Sequence, residues 1–240
     1  MPMHSLNLAD VRRDAVPIRV AFLHRPVARG GGGPLAGFVR QRRALALDLL
    51  LLARAVWPLA DEGLIAAPAS DWARAIGLDD RPGNRASISR AWTWLEAQAL
   101  VRTRPQGRTR AIEILCEDES RRMWFHPAEE RAPYFQLPHA YWHGGFNKDL
   151  SLPAKAMLLI ALSLDRPDKP HFELPIERGS AWYGLTQQSV RTGLRELREV
   201  GLLRTWIERR ETDASPVGFV DDRRHALNSI DQVAWRRINL

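Results

Sequence analysis

One residue of the 240 is cysteine and only three, Lys148, Lys155 and Lys169, are lysine. The single Cys116 excludes an internal disulfide framework and a cysteine-built zinc site, and it fits a reducing compartment in which a buried thiol persists. No apolar run reaches membrane-span length. The longest, Ala44 to Ala60, also carries Asp48 and Arg54, and the N-terminal MPMHSLNLADVRRDAV lacks the apolar core of a secretion signal. These absences point to the cytoplasm. Catalytic signatures are missing as well. No Gly-Lys-Ser/Thr follows the four glycines Gly30 to Gly33, no His-x-His is paired with a downstream tyrosine, and no Ser, His and Asp fall at a defensible spacing. His139 and His143 have the i, i+4 spacing of paired metal ligands, but no Glu follows the first and no third ligand is evident. The expectation is therefore a protein that is not an enzyme, with no cofactor, no metal and no evident small-molecule ligand.

What the chain has is positive charge. It carries 35 Lys and Arg against 28 Asp and Glu, a formal net charge of +7 and a pI near 10.4. A GC-rich source would favour arginine over lysine, but it does not create a net charge; an arginine-rich basic chain suggests a polyanionic partner. With 45% hydrophobic residues, the length suffices for one large domain or two small ones. Two is the better reading, because one local pattern occurs in each half.

The glycines lie in ARGGGGPLAG, Ala28 to Gly37, and predict a flexible linker closing an N-terminal arm of residues 1–36, with a short strand at Ile18 to Leu23. From about Phe38 the spacing becomes helical, with Leu45, Leu49, Leu52 and Val56 on one face until Pro58. A second helix is expected from an N-cap at Ser70 to a stop at Gly77, followed by a turn, DDRPGN, from Asp79 to Asn84. The third helix, RASISRAWTWLEAQAL from Arg85 to Leu100, places Ile88, Ala91, Trp92, Leu95 and Ala99 on one stripe. VRTRPQGRTRAIEIL, Val101 to Leu115, then predicts a hairpin around Pro105-Gln106-Gly107. These elements fill a first domain, residues 37–116.

A charged, weakly patterned segment, residues 117–132, marks a boundary, as a linker or one long connecting helix. The order then recurs in a second domain, residues 133–240. After the extended YFQLPHAYW comes LSLPAKAMLLIALSL, a helix with Ser151 ahead of it, Pro153 in its first turn, and Met157, Leu158, Ala161 and Leu164 inward. A short helix over Pro175 to Tyr183 stops at Gly184, Leu185 plugs the turn, and Thr186 caps the next helix. That helix belongs to GLTQQSVRTGLRELREVGLL, Gly184 to Leu203, with Val190, Leu194, Leu197 and Val200 inward. A second hairpin is expected, with one strand in LLRTWIERR, a return within Val217 to Ile230, and the tip ETDASPVG. The terminal SIDQVAWRRINL reads as a dimerising or capping helix with Ile230, Val233, Ala234 and Ile238 inward.

Helix, tight turn, second helix and hairpin is the winged helix-turn-helix arrangement. GLTQQSVRTGLRELREVGLL resembles that family's turn Gly-Leu, capping Thr or Ser, aliphatic-striped helix and Gly-Leu-Leu at the first wing strand; RASISRAWTWLEAQALV is similar, after a longer turn. The resemblance covers about residues 38–115 and 134–230. It implies a mainly α fold with small β-hairpins (α+β) and two winged-helix domains in tandem. Proteins with two such modules include transcriptional regulators and plasmid or phage replication initiators. The leading expectation is a sequence-specific double-stranded DNA-binding transcriptional regulator, cytoplasmic and nucleoid-associated, with a homodimer as the candidate assembly and no membrane partner. The alternatives are a replication initiator of a plasmid or mobile element, and a winged-helix protein-interaction scaffold.

An α-helix fits the major groove if its N-terminal half offers donors and acceptors to base edges and phosphates. The second domain offers Gln187, Gln188, Ser189, Arg191, Thr192 and Arg195, where Gln suits adenine and Arg suits guanine. Thr186, Ser189 and the helix N-terminus can hold a phosphate. The first domain offers Arg85, Ser87, Ser89, Arg90 and Thr93. Its wing carries Arg102, Arg104, Arg108 and Arg110 at alternating positions, expected on one strand face and suited to a minor groove or a phosphate run. The second wing carries Arg209 and Arg210, with Arg223 and Arg224 near the return. Of the nine tryptophans, Trp92 is assigned to the core, and Trp57, Trp142, Trp182 and Trp206 to cores or interdomain packing. Trp94, off the helix stripe, is the candidate platform for a single-stranded base.

Overall fold

The computed structural model describes residues 6, 8, 11, 13–25, 31–107, 109–118, 120–166, 168–212 and 219–238. The chain is mixed α/β, with many helices and three small antiparallel sheets. No helix among the described residues is long and apolar enough to cross a membrane.

The helical region expected from Phe38 is two helices, α1 (Pro34–Arg40) and α2 (Ala44–Val56). The chain turns between them at Arg42, whose φ of 55° is left-handed. Pro34 opens α1, and α2 buries Leu47, Leu49, Leu50, Leu51 and Leu52, so almost its whole circumference is core. Strand β2 (Leu64–Ala67) follows, then α3 (Ala69–Ala75) and α4 (Pro82–Ala97). Both of the latter begin earlier than expected. Ser70 lies inside α3, after Pro68 at the N-cap position. Pro82, taken as part of a turn, is the first residue of α4, where its missing N–H costs nothing. Strands β3 (Val101–Gln106) and β4 (Thr109–Ile114) form the expected hairpin, and β2 adds to the far side of β4, giving the order β2-β4-β3.

The second half repeats this order. After β5 (Tyr134–Pro138), α5 (Ala140–His143) and α6 (Phe146–Asp149) comes α7 (Leu152–Leu164), capped by the Ser151 side chain, which accepts from the Ala154 N–H at 3.3 Å. Helices α8 (Ile176–Tyr183) and α9 (Gln187–Glu199) are joined through Gly184 at φ 62°, with Leu185 buried in the turn. A long hairpin, β6 (Leu203–Glu211) with β7 (Phe219–Leu227), completes the repeat, and Phe172 bridges His225 on the far side of β7 just as β2 does on β4. The bridge pairs Thr103↔Ile112 and Pro105↔Arg110 of the first hairpin correspond in place to Thr205↔His225 and Ile207↔Arg223 of the second.

The halves are joined by buried contacts. The expected strand at Ile18 to Leu23 is β1 (Ala15–Arg19), which runs antiparallel to β5 and is followed by a 3-10 turn at Val20–Phe22. Gly32 lies against Gly184, so close that a Cβ on Gly32 would sit 3.0 Å from the Gly184 Cα. Lys155 of α7 bonds both Asp48 oxygens of α2 at 2.7 Å, and burial still outweighs the lysine's pull, carrying the Asp48 carboxyl up to about 6. The segment 117–132 is not one long helix. Glu117 is buried against Arg54 at 2.9 Å and Arg19 at 3.3 Å, and a 3-10 turn follows at Pro127–Glu130. Cys116 is buried beside it, which pushes its thiol up. One apolar core runs through residues of both halves.

Helix α10 (Ile230–Ile238) packs on α5. Ile230, Val233 and Ala234 are inward as expected, and Arg237 donates to the Gly144 carbonyl at 3.1 Å. Ile238 is not inward: it is exposed, at the end of α10, and contributes nothing to the core.

Candidate nucleic-acid interface

The apolar stripe of α4, Ile88, Ala91, Trp92 and Leu95, faces the core and turns Ser89, Arg90 and Thr93 outward. The polar candidates of this helix are held by local bonds. Arg85 is clamped bidentately by Asp80, at 2.5 and 2.8 Å. Ser87 donates to the Gly83 carbonyl at 2.9 Å and receives Arg90 at 2.9 Å, while Thr93 donates to the Ser89 carbonyl at 3.1 Å. Trp94 is not an open platform. Its indole N–H donates to Gln41 at 2.9 Å, and its ring packs edge-on against Phe38.

The first wing departs from expectation in one respect. Cross-strand partners share a face, and Arg102 is paired with Glu113 and Arg104 with Ala111, whereas Arg110 is opposite Pro105. Arg110 therefore lies on the opposite face from Arg102 and Arg104, because alternation within each strand does not carry its phase through a turn. Arg108 lies outside the described residues. Arg102 and Arg104 converge on the nearly buried Glu113, at 2.8 and 3.4 Å, so one carboxylate offsets part of their charge. Arg110 instead reaches α4, with Nη1 3.5 Å from the Ser89 carbonyl. Arg110 thus joins the outward face of α4.

In the second half, Thr186 caps α9 by accepting from the Ser189 N–H at 3.1 Å. Gln188 donates to Thr192 at 3.2 Å and Arg191 to Gln187 at 3.3 Å; Arg195 lies 3.6 Å from Glu199. The inward face holds Val190, Leu194 and Leu197 as expected, with Gly193 between them and Val200 only half-buried. Glu196, half-buried, accepts from the Ser151 backbone N–H at 2.6 Å and from its hydroxyl, fastening α9 to the start of α7.

The second wing is laced with ion pairs. Arg209 bonds Asp221 at 2.9 Å and holds that carboxyl below its usual range. Arg210 bonds Asp222 at 3.2 Å, and Arg224 bonds Glu208 at 2.6 Å and also Glu173. Arg209 and Arg210 are thus present on the wing but already paired. Trp206 and Trp182, expected in a core, are exposed; Trp206 meets only the edge of His171, and Trp182 lies under Arg178.

Each repeat has a groove in the same place, between the start of its first paired helix, its second paired helix and the return strand. The first, about 310 Å³, is lined by Pro68, Trp72, Ile88, Ser89, Trp92 and Arg110, and among the described residues no acidic side chain lines it. The second, about 360 Å³, holds Glu173, Glu177, Asp221 and Asp222 beside Arg223 and His225. His225 is buried and bonded through Nδ1 to the Thr205 hydroxyl at 2.9 Å. Burial, reinforced by Arg223 and Arg198, lowers its pKa to about 4, so it is neutral at physiological pH.

Sequence reasoning missed the acidic partners Asp80, Glu113, Asp221 and Asp222. Hairpin register would have found the last three, since each is a directly opposite or diagonal cross-strand neighbour of its arginine, whereas Asp80 meets Arg85 locally at the start of α4. His139 is buried with its ring against Trp142, and among the described residues no group of three or more His, Cys, Asp or Glu is placed to hold a metal. Comparison with known protein families, with curated proteins and with solved structures finds no match to this chain.

Proposed function

We propose that each repeat is a winged helix-turn-helix unit and that the chain is a sequence-specific double-stranded DNA-binding protein acting as a transcriptional regulator. The fold reading is supported by the order of helix, helix pair and hairpin in both halves, with the strand β2 on the hairpin's return strand in the first and a single bridge, at Phe172, in the same place in the second. The observation that carries the functional reading is Arg110 seated on α4 beside Ser89, over a groove without a carboxylate. That surface presents positive charge and hydroxyl donors on a helix and an adjoining strand, a combination suited to phosphates and base edges together.

Among the described candidate arginines of α4, α9 and the two wings, Arg90, Arg110 and Arg191 meet no carboxylate, so their charge is available to a polyanion. Gln187, Gln188 and Arg191 on α9 are the base-reading candidates of the second unit, and Ser89, Arg90 and Thr93 those of the first. Duplex binding measured by fluorescence anisotropy across a salt series tests the reading. The logarithm of affinity should fall linearly with the logarithm of salt, by about 0.9 for each phosphate neutralised. Selection from a random duplex pool should return a defined site. No duplex binding at low salt overturns the proposal.

A further inference from the structure

In both repeats the outgoing hairpin strand is the sheet edge: among the described residues β3 has only β4 beside it, and β6 only β7. An edge strand exposes a row of unpaired N–H and C=O groups, and proteins that remain single guard such edges with proline, charge or shortness. The β3 edge is six residues long, contains Pro105 and carries Arg102 and Arg104 without an acid in the strand. The β6 edge is neither short nor interrupted by proline, and its charges are of both signs, so they can be matched across a two-fold axis rather than only repelling a second strand. It runs nine residues, LRTWIERRE, has no proline, and exposes Trp206 at 40% and Ile207 at 63%.

We infer that β6 pairs antiparallel with β6 of a second copy of this chain about a two-fold axis through Trp206. Charge selects this register. Centred on Trp206, Arg204 of each copy stands opposite Glu208 of the other, Thr205 opposite Ile207, and Trp206 opposite itself. Centred on Ile207, Arg204 would oppose Arg210; centred on Glu208, that carboxylate would oppose itself; centred on Thr205, Arg204 would oppose Trp206 and Glu208 would face no residue of the strand. Arg204 has no acidic partner within its own chain among the described residues. Glu208, which receives Arg224 on one oxygen, Oε2, keeps lone pairs for a second cation. The pairing joins the two hairpins into one continuous four-stranded sheet and covers the exposed apolar positions of β6.

Sedimentation velocity of the full chain over a wide concentration range should show a reversible dimer. Arg204→Glu should raise its dissociation constant roughly tenfold, for two cross-strand pairs turned repulsive. Adding Glu208→Arg to Arg204→Glu should restore it. Trp206→Cys chains should link to each other through a short bifunctional maleimide, because the only native thiol, Cys116, is buried. A chain that remains monomeric at the highest concentration overturns the inference. So does efficient linking through Ile238→Cys with none through Trp206→Cys, which would place the contact at α10. A charge swap that fails to recover a dimer weakened by Arg204→Glu overturns the register.

Discussion

In the first hairpin two arginines, Arg102 and Arg104, converge on one carboxylate, Glu113, while Arg110 on the opposite face meets none. In the second, Arg209, Arg210 and Arg224 are matched by Asp221, Asp222, Glu208 and Glu173. The two hairpins share the place of their first bridge pairs, although the second is longer and among the described residues lacks a third strand; the charge balance is not shared. A phosphate approaching the first wing meets surplus positive charge. One approaching the second meets guanidinium groups whose field is largely cancelled by a carboxylate within about 3 Å. Repetition of a fold has therefore not meant repetition of a surface, and on the proposed reading the first wing grips DNA while the second holds another protein chain.

The largest test of the comparison lies beneath the two surface helices. At the same place on the inward stripe α4 has Ala91 and α9 has Gly193. A Cβ at 193 would stand 2.5 Å from the Pro153 carbonyl oxygen and 2.5 Å from the Met157 side chain, so α9 crosses α7 at backbone contact. Gly193→Val should lower the free energy of unfolding by about 3 kcal/mol, through forced separation of the two helices. Ala91→Gly should lower it by only about 1 kcal/mol, the intrinsic helix penalty of glycine. Urea denaturation of the two variants checks this. Equal losses would mean that the α7–α9 contact is no tighter than its counterpart.

That glycine shows what was legible in the chain and what was not. The stripes of α4, α7 and α9, the Ser151 and Thr186 caps, the Gly184 turn and both hairpins follow from local spacing, and they are found where the spacing puts them. Local spacing marks the stripe at 190, 194 and 197, but it does not say that the neighbouring helix comes close enough to require glycine between them. The same limit hid Asp48 with Lys155, Arg54 with Glu117, and Glu196 with Ser151, each a partner more than forty residues distant. It hid the phase of Arg110 as well. Which face a residue takes after a turn is set by the register of the hairpin, and register depends on a two-residue turn that composition alone does not fix.

Acid separates the hairpins next. Where the second has His225 bonded to Thr205, the first has Ile112 facing Thr103, which does not titrate. Burial lowers the His225 pKa from 6.5 to about 4, so its contribution to stability is complete above pH 6.5 and is lost as pH falls through that value toward 4. The loss approaches roughly 3 kcal/mol at the acid end. Hydrogen exchange at pH 7 and pH 4.5 should show amides of β6 and β7 losing protection relative to those of β3 and β4. A His225→Leu variant should remove the difference. Parallel loss in both hairpins would assign the effect to carboxylates common to the whole chain.

The smallest effect is expected at the two arginines that share a place in the repeat, Arg110 and Arg223. Arg110 borders a groove without acidic residues, whereas Arg223 borders one with Glu173, Glu177, Asp221 and Asp222. If DNA lies on the first wing, Arg110→Ala should weaken duplex binding several-fold and reduce the salt slope by about 0.9, the loss of one phosphate contact. Arg223→Ala should leave the slope nearly unchanged, because the carboxylates around it already repel a phosphate. Anisotropy titrations of both variants at two salt concentrations decide it. If Arg223→Ala proves the more damaging, the assignment of roles to the wings must be exchanged: the acidic groove would then be bridged at the DNA surface, and the surplus charge of the first hairpin would serve another partner.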